Sequence, residues 1–295
     1  MNLPIITPGM DEYEVDYLFE LHGFLILKNA VAKEDLKQMN GWADDHWDYV
    51  TNPGQRFGSN TNGQWIGNVE TQTYSGEDGC NFQNIIEAAD VFQRLMDYPA
   101  WIERICRYLN PINGVSIHEN LLNVRGKGGY IGVHCGGHIP INYMTFRQAN
   151  TGAWMVGQIN VITALRDIGP GDGPTTLIPG SHKASMPHPA LLNPDGTNTI
   201  YRSEKAAGLA RGMVELCVEA GDVLMFTDTI THGSAERIND GYRRMVLYRY
   251  SPQWIRSRFN YQPSPEFWER LTKAQRDIIQ PIEPRLKPEA APASV

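Results

Sequence analysis

Residues 221–252 read GDVLMFTDTITHGSAERINDGYRRMVLYRYSP and contain two strand-like runs. The first run is Val223–Phe226, and the second is Arg244–Tyr250. β-branched, aromatic and other large apolar residues favour strands, whereas the Asn239-Asp240-Gly241 stretch between the runs favours a turn. The segment therefore predicts two strands joined by a hairpin-type turn.

Similar runs recur from Val115 onward, separated by clusters of glycine, proline, asparagine and aspartate. They are Val115–Val124, Tyr130–His134, Gln158–Leu165, Thr175–Ile178 and Met213–Val218. Many short strands at this density predict a β-sandwich or a barrel-like jelly roll.

The part of the chain before Val115 has a different pattern. Apolar residues at helical spacing predict helices, and a short apolar run predicts one strand. The predicted helices are Met10–Leu21 with Asp11 as cap, Ala32–Val50, and one or two within Phe82–Leu109; the strand is Phe24–Leu27. Residues 51–80 are rich in glycine, asparagine and threonine and predict a long irregular loop.

A single domain is expected over residues 1–280, with a helical N-terminal part at about 10–110 and a jelly-roll core at about 115–252. A further helix is predicted over Pro265–Ile279. Residues 281–295 are rich in proline and alanine and predict a tail.

Composition limits the possible partners and the compartment. The 295-residue chain has a net charge of −7, which argues against nucleic acid as a partner. It has no apolar run long enough to span a membrane. The start of the chain does not resemble a signal peptide. Cys80, Cys106, Cys135 and Cys217 are scattered, which favours reduced thiols. These features predict a cytoplasmic protein with a small-molecule partner, and leave the oligomeric state open.

Two histidines are candidate metal ligands. His134 ends a strand-like run, and His232 lies about a hundred residues later. Strands that face each other would bring the two imidazoles together, and imidazole binds iron, zinc, copper and nickel. The alternative is that each histidine only forms a hydrogen bond to a loop.

Arg243 lies eleven residues after His232, at the start of a predicted strand. A hairpin would present His232 and Arg243 on the same side, where the guanidinium could bind a carboxylate through two hydrogen bonds. Strand alternation sends Arg243 and Arg244 to opposite faces, so only one of them points inward. The alternative is a surface arginine.

Three segments together resemble one enzyme family. They are HGFLILKNAVAKEDL at 22–36, IGPGDGPTTLIPGSHK at 168–183, and the segment 221–252 quoted above. In motif, order and spacing they resemble the phytanoyl-CoA dioxygenase family of Fe(II)/2-oxoglutarate oxygenases. The resemblance implies a mainly β double-stranded β-helix (a jelly roll of the cupin type) with helical additions. It also implies that Fe(II), 2-oxoglutarate and O2 take part in the reaction.

The resemblance also implies roles for particular residues. His134 and His232 would bind iron. Arg243 would hold the distal carboxylate of 2-oxoglutarate, with help from Ser234. His182, in the 168–183 segment, is expected to be structural.

The sequence departs from the family pattern at Gly136. The family's His-x-Asp motif supplies the carboxylate of a 2-His-1-carboxylate triad, and glycine has no side chain to ligate. Three interpretations stay open. A halide fills the position beside Gly136, another carboxylate replaces the aspartate, or water occupies the site or the protein no longer binds iron productively. Asp228 is the preferred carboxylate, provided that residues 227–231 bend, and Glu119 is a weaker candidate. His138 is expected to contact the substrate or to support a ligand.

Gln158 and Asn160 share one face of a predicted strand. If this face points inward, the pair suits 2-oxoglutarate or the substrate; otherwise it faces solvent.

The expected function is therefore oxidation of an unactivated C–H bond of a small molecule, with hydroxylation ranked first. A halogenase that also uses chloride is the second possibility. Two alternatives come from other classes. One is a non-catalytic binding protein on a degenerate jelly roll, and the other is a cupin-like metal hydrolase or isomerase without 2-oxoglutarate.

Overall fold

The computed structural model describes residues 3–52, 64–73, 78–109, 114–134, 145–147, 154–184, 186, 188–192, 210–253, 255 and 263–279. Cys135, Gly136, His138 and the 281–295 tail lie outside the described residues.

Nine of the described strands form one large sheet, in the order β1-β2-β13-β10-β15-β6-β5-β4-β3. In that order they are Ile5–Ile6, Phe24–Leu27, Val223–Thr227, Ile159–Ala164, Arg243–Pro252, Val115–Arg125, Cys80–Gln83, Val69–Gln72 and Gln64–Ile66. Neighbours are antiparallel except for β1 and β2, which are parallel. The two longest of these strands, β6 and β15, pair along their whole length at the middle of the sheet.

A second sheet of four strands has the order β12-β11-β14-β7. Its strands are Val214–Leu216, Thr175–Leu177, His232–Ser234 and Ile131–His134. Two further strands, β8 (Thr145–Arg147) and β9 (Trp154–Val156), form a separate pair.

One buried apolar cluster joins the two sheets. Ile162, Leu224 and Phe226 of the large sheet belong to the same cluster as Leu177 and Leu216 of the small sheet. Facing sheets with an apolar filling are the architecture of a jelly roll. The mainly β fold predicted from the sequence is thus confirmed.

The helices cover the outer face of the large sheet. They are α1 (Glu12–His22), α2 (Lys33–Asp45), α3 (Trp47–Thr51), α4 (Asp90–Arg94), α5 (Ile102–Leu109), α6 (Pro265–Arg270) and α7 (Lys273–Ile279). Their buried residues, such as Met39, Phe92 and Ile105, share a second cluster with Tyr248 and Tyr250 of β15. The predicted cap of α1 is present, because the Asp11 side chain accepts a hydrogen bond from the Glu14 N–H.

The loop predicted over residues 51–80 was partly wrong. It contains β3, β4 and the first residue of β5, and Phe82 lies in β5 rather than in a helix. These strands are short and polar, and they form because β5 pairs with β6 and extends the large sheet. The helices predicted over Ala32–Val50 and Pro265–Ile279 are each interrupted, at His46 and at Leu271, where the backbone leaves the helical region.

The hairpin predicted between His232 and Arg243 was also wrong. The strand that carries His232, β14, pairs with β11 and β7 in the small sheet. The strand that carries Arg243, β15, pairs with β10 and β6 in the large sheet. The connecting segment therefore crosses from one sheet to the other. Turn chemistry marks a reversal of the chain, but it does not determine which strands pair afterwards.

The described cysteines are free thiols, namely Cys80, Cys106 and Cys217. Burial raises the pKa of Cys80 to about 12. No helix within the described ranges combines the length and apolar character needed to cross a membrane.

Gly23 offers a test of how α1 is joined to the sheet. It ends α1 with a φ of +79°, and an added Cβ would lie 2.2 Å from Nδ1 of His182. We expect Gly23→Ala to lower the free energy of unfolding by about 2–4 kcal/mol, because left-handed strain and overpacking act together. Urea denaturation of the purified variant measures this loss.

Gly9 is the matched control, since its φ is +87° and an added Cβ meets no atom within 4 Å. Gly9→Ala should therefore cost only the backbone strain, about 1–2 kcal/mol. Equal losses in the two variants would show that the contact with His182 is unimportant.

Candidate metal and anion site

Two imidazoles meet at the edge of the small sheet. His134 ends β7 and His232 begins β14, and the two residues are directly opposite each other in the antiparallel pair. Their ring centroids are 4.1 Å apart, with an angle of 53° between the ring planes. The sheet thus brings together two residues that are about a hundred positions apart in the chain.

Both rings are held in the same way by the backbone. Nδ1 of His134 lies 2.9 Å from the carbonyl oxygen of Gly132, and Nδ1 of His232 lies 2.7 Å from that of Ile230. These contacts favour the tautomer in which Nδ1 carries the proton and Nε2 carries the lone pair. A backbone carbonyl that fixes one ring nitrogen is a common support for histidines that bind metal through the other.

Arg243 lines the same cavity as the two histidines. Its Nη1 donates to the carbonyl oxygen of Gly173 at 2.6 Å, and its Nη2 donates to Oδ1 of Asn123 at 3.2 Å. The residue is only 2% exposed. Its Nε is buried without a hydrogen-bond partner, and no carboxylate of the described residues forms an ion pair with it.

This environment disfavours the charged guanidinium. Burial lowers the pKa of Arg243 well below its usual range; the nearby Arg125 and Arg237 lower it further, and Asp78 opposes them. A buried cation without an anionic partner is costly, so an anion that enters the cavity would be strongly stabilised here.

Ser234 lies between the histidines and Arg243. It belongs to β14, two residues after His232, and its hydroxyl lines the cavity. Oγ accepts hydrogen bonds from Nη1 of Arg125 at 2.5 Å and from the Ile131 N–H at 2.8 Å.

Arg244 points to the opposite face of β15, as strand alternation predicts. It donates to the carbonyl oxygen of Asn40 at 3.2 Å, forms an ion pair with Asp44 at 2.5 Å, and stacks over Trp47 at 5.1 Å. It is 3% exposed, so neither arginine is a surface residue. Of these two arginines, only Arg243 faces the cavity.

Gln158 and Asn160 are both buried, which rules out the solvent-exposed alternative. Nε2 of Gln158 donates to Oδ1 of Asn160 at 3.2 Å, and Asn160 lines the cavity. Asn160 is opposite Arg249 in the sheet. Arg249 is six residues from Arg243 on β15, which is roughly 20 Å along an extended strand. The amide pair and Arg243 therefore lie at opposite ends of the cavity.

Asp228 lies four residues before His232 and contacts Asn160. The chain bends after β13, as a carboxylate ligand would require, because the Ile230 N–H donates to the carbonyl oxygen of Thr227 at 3.1 Å. Oδ1 of Asp228, however, accepts from Nδ2 of Asn160 at 2.8 Å. In the described part of the chain, no three side chains of His, Cys, Asp or Glu are grouped to hold a metal ion. Glu119, the weaker candidate, pairs with Arg249.

His182 has the structural position expected of it. Its Nε2 contacts the carbonyl oxygen of Glu20 at 3.3 Å, and the ring packs against Gly23.

Sequence reasoning missed the side chains that support the site. Asn123 and Arg125 alternate along β6 and both face the cavity. This spacing of two polar residues in a strand-like run was a readable signal. Asp78 gave no such signal, since it precedes a strand that was not predicted.

The chain matches known proteins in sequence. Residues 142–245 match the family model described as phytanoyl-CoA dioxygenase. This match includes His232, Ser234 and Arg243 and begins after His134. The peroxisomal phytanoyl-CoA dioxygenase of Rattus norvegicus is 24% identical over 242 residues, which are 79% of this chain and 66% of the rat protein. The chain thus spans just under two thirds of the length of that relative.

Solved structures share the fold. HygX from Streptomyces hygroscopicus, solved with nickel and 2-oxoglutarate bound, has a TM-score of 0.62 at 18% identity, covering 84% of this chain and 89% of its own. SnoN, a non-haem 2-oxoglutarate-dependent epimerase of nogalamycin biosynthesis, has a TM-score of 0.53 at 13% identity. The match covers 82% of this chain and 85% of SnoN. The sequence matches agree with the resemblance that the motifs predict: the chain is similar to phytanoyl-CoA dioxygenases, and residues 142–245 match the model of that family.

Proposed function

We propose that the protein is an Fe(II)/2-oxoglutarate-dependent oxygenase that hydroxylates an unactivated C–H bond of a small molecule. The observation that carries this proposal is Arg243, a buried guanidinium with an unpartnered Nε and no carboxylate partner among the described residues. It shares one cavity with two imidazoles whose Nδ1 atoms are fixed by the backbone. This combination fits a metal and an organic anion held side by side.

His134 and His232 would hold Fe(II) through their Nε2 atoms. Imidazole is a good ligand for iron, and the carbonyls of Gly132 and Ile230 keep both rings oriented. The rings would not have to rotate away from these carbonyls to bind the metal.

Arg243 and Ser234 would hold the distal carboxylate of 2-oxoglutarate. A guanidinium presents donors that match a carboxylate, and Nε of Arg243 has no acceptor within the described ranges. When bound, iron, 2-oxoglutarate and O2 supply the oxidising chemistry, and the protein orients the reactants and excludes water.

The comparisons support this function in general terms. The rat relative is a dioxygenase by name, and HygX has been solved with iron, with nickel and 2-oxoglutarate, and with hygromycin B. SnoN is an epimerase, so the fold alone does not identify the reaction. We place a small-molecule substrate at the Asn160 end of the cavity, away from Arg243.

Hydroxylation is ranked above halogenation because of the negative charge of Asp228. Asp228 is buried close to His232 in the chain, and its carboxylate would repel a halide at short range by about 1–4 kcal/mol. If Asp228 is the third ligand, it can bind the metal through Oδ2 and keep the hydrogen bond that Oδ1 accepts from Asn160. Gly136, where a halide would bind, lies outside the described residues, so the halogenase alternative stays a prediction. The non-catalytic alternative is opposed by His134, His232 and Arg243 together, because a protein that only binds an anion needs no pair of imidazoles beside it.

Anaerobic titration with Fe(II) and 2-oxoglutarate tests the function directly. The chelate is expected to give a visible charge-transfer band that neither component gives alone. Turnover of candidate substrates with and without chloride or bromide, followed by mass spectrometry, distinguishes oxygenated from halogenated products. If no chelate band appears and 2-oxoglutarate is not consumed, the proposal is wrong.

We predict that His134→Ala and His232→Ala each abolish Fe(II) binding and 2-oxoglutarate turnover, because one imidazole cannot replace two. Equilibrium dialysis with Fe(II) under anaerobic conditions measures the binding. His188→Ala is the control, since His188 contacts the carbonyl oxygen of Arg211 and does not line the cavity. Retained binding in both cavity variants would contradict the assignment.

We predict that Arg243→Ala weakens 2-oxoglutarate binding by a factor of about 100 or more, because it removes one partner of a buried ion pair worth roughly 3–5 kcal/mol. Arg244→Ala is the matched control: an equally buried arginine, one residue away, on the opposite face of β15. It should lower stability with little effect on the 2-oxoglutarate Kd. The reverse ranking would mean that Arg244 holds the co-substrate.

A further inference from the structure

Arg125 is a second buried arginine at the Arg243 end of the cavity. The two residues are directly opposite each other in the β6–β15 pair. Arg125 is 1% exposed. In contrast to Arg243, it forms a buried ion pair, with Nη2 lying 3.0 Å from Oδ1 of Asp78.

Asp78 holds Arg125 at several atoms. Nε of Arg125 donates to the backbone carbonyl of Asp78 at 3.0 Å, in addition to the ion pair. The other carboxylate oxygen of Asp78 accepts from Nδ2 of Asn81 at 2.5 Å. Gly79 allows this close approach, because its φ is +87° and an added Cβ would lie 2.4 Å from the carbonyl oxygen of Val124.

The remaining arm of Arg125 reaches Ser234. Its Nη1 donates to Oγ of Ser234 at 2.5 Å, and the Ile131 N–H donates to the same oxygen at 2.8 Å. A serine hydroxyl has two acceptor lone pairs and one proton to donate. Both lone pairs are therefore used, and the proton must be directed at a third group.

We infer that Arg125, fixed by Asp78, is a positioning residue that makes Ser234 an obligatory hydrogen-bond donor to the carboxylate held by Arg243. A hydroxyl that is free to rotate can accept as well as donate. With both lone pairs occupied, Ser234 can only donate, so it favours an anion over a neutral or cationic group. This inference rests on the proposed function of the cavity.

The charges at this end of the cavity agree with the assignment. Asp78 compensates Arg125, whereas no described carboxylate pairs with Arg243, so the three groups together carry one net positive charge. One carboxylate group neutralises that charge. Arg125 would thus act through Ser234 and would not need to touch the ligand.

The experiment is a double-mutant cycle on 2-oxoglutarate binding, measured by titration calorimetry on the Mn(II)-loaded protein without O2. Arg125→Lys keeps the charge beside Asp78, but a single ammonium cannot reproduce the geometry of the guanidinium fork that reaches both Asp78 and Ser234. We expect Arg125→Lys to raise the Kd by about 10-fold, the scale of one hydrogen bond to a charged group. Ser234→Ala should raise it by a similar factor.

In the Ser234→Ala background, Arg125→Lys should then change the Kd less than about 2-fold, because the hydroxyl through which it acts is gone. Additive effects would overturn the inference and indicate that Arg125 acts by its charge or by supporting the fold. Unchanged binding in Arg125→Lys would overturn it as well. The Mn(II) affinity should stay the same in all variants, since His134 and His232 are untouched.

Asp78→Asn is the second route if Arg125→Lys does not fold. It weakens the ion pair while leaving Arg125 in place, so it should raise the Kd in the wild-type background and have little effect in the Ser234→Ala background. Equal effects in the two backgrounds would contradict the inference. If the wild-type protein does not bind 2-oxoglutarate at all, the proposed function fails, and this outcome is distinct from a wild-type protein that binds but shows no coupling.

Discussion

The alternation of side chains along β15 is the constraint on which the cavity and the core both depend. Residues Arg243, Met245, Leu247 and Arg249 face the cavity. Val246, Tyr248 and Tyr250 face the helices on the other side. A slip of one residue in register would exchange the two faces. It would turn Arg244 toward the cavity and take the tyrosines away from the helices, so the hydrophobic core and the proposed anion site depend on the same pairing.

The neighbours of β15 hold this register. β10 and β6 pair with it on its two edges, and the tyrosine hydroxyls are satisfied within the helical layer. Tyr248 donates to the carbonyl oxygen of Phe92 at 2.6 Å, and Tyr250 donates to that of Met96 at 2.9 Å. These buried hydroxyls would lose their partners if the strand shifted, and an unsatisfied buried polar group is costly. The helices therefore support the cavity from behind.

The cavity holds a charge that the described part of the chain does not compensate. Arg125 has Asp78 and Arg244 has Asp44, whereas the acceptors of Arg243 among the described residues are neutral, the carbonyl of Gly173 and the amide of Asn123. Burying a guanidinium in this way lowers stability, and an anionic ligand would offset the cost. The same strand thus carries one arginine with a carboxylate partner and one that we propose binds an anion, and the two differ in partner and in the face of β15 that they occupy.

The sequence by itself determined the periodic features of the protein. Most strands from Val115 onward, though not β8, β9 or β14, follow from local patterns, as do the cap of α1 and the inward orientation of Arg243, because alternation and capping depend on near neighbours in the chain. The candidate histidines follow from local patterns and from motif resemblance. The tertiary structure alone decided the rest. It placed His232 and Arg243 in different sheets, paired β5 with β6 to bring Asp78 to Arg125, and turned Asp228 toward Asn160. These contacts join residues tens of positions apart, and their strength depends on burial and pairing that no local pattern contains.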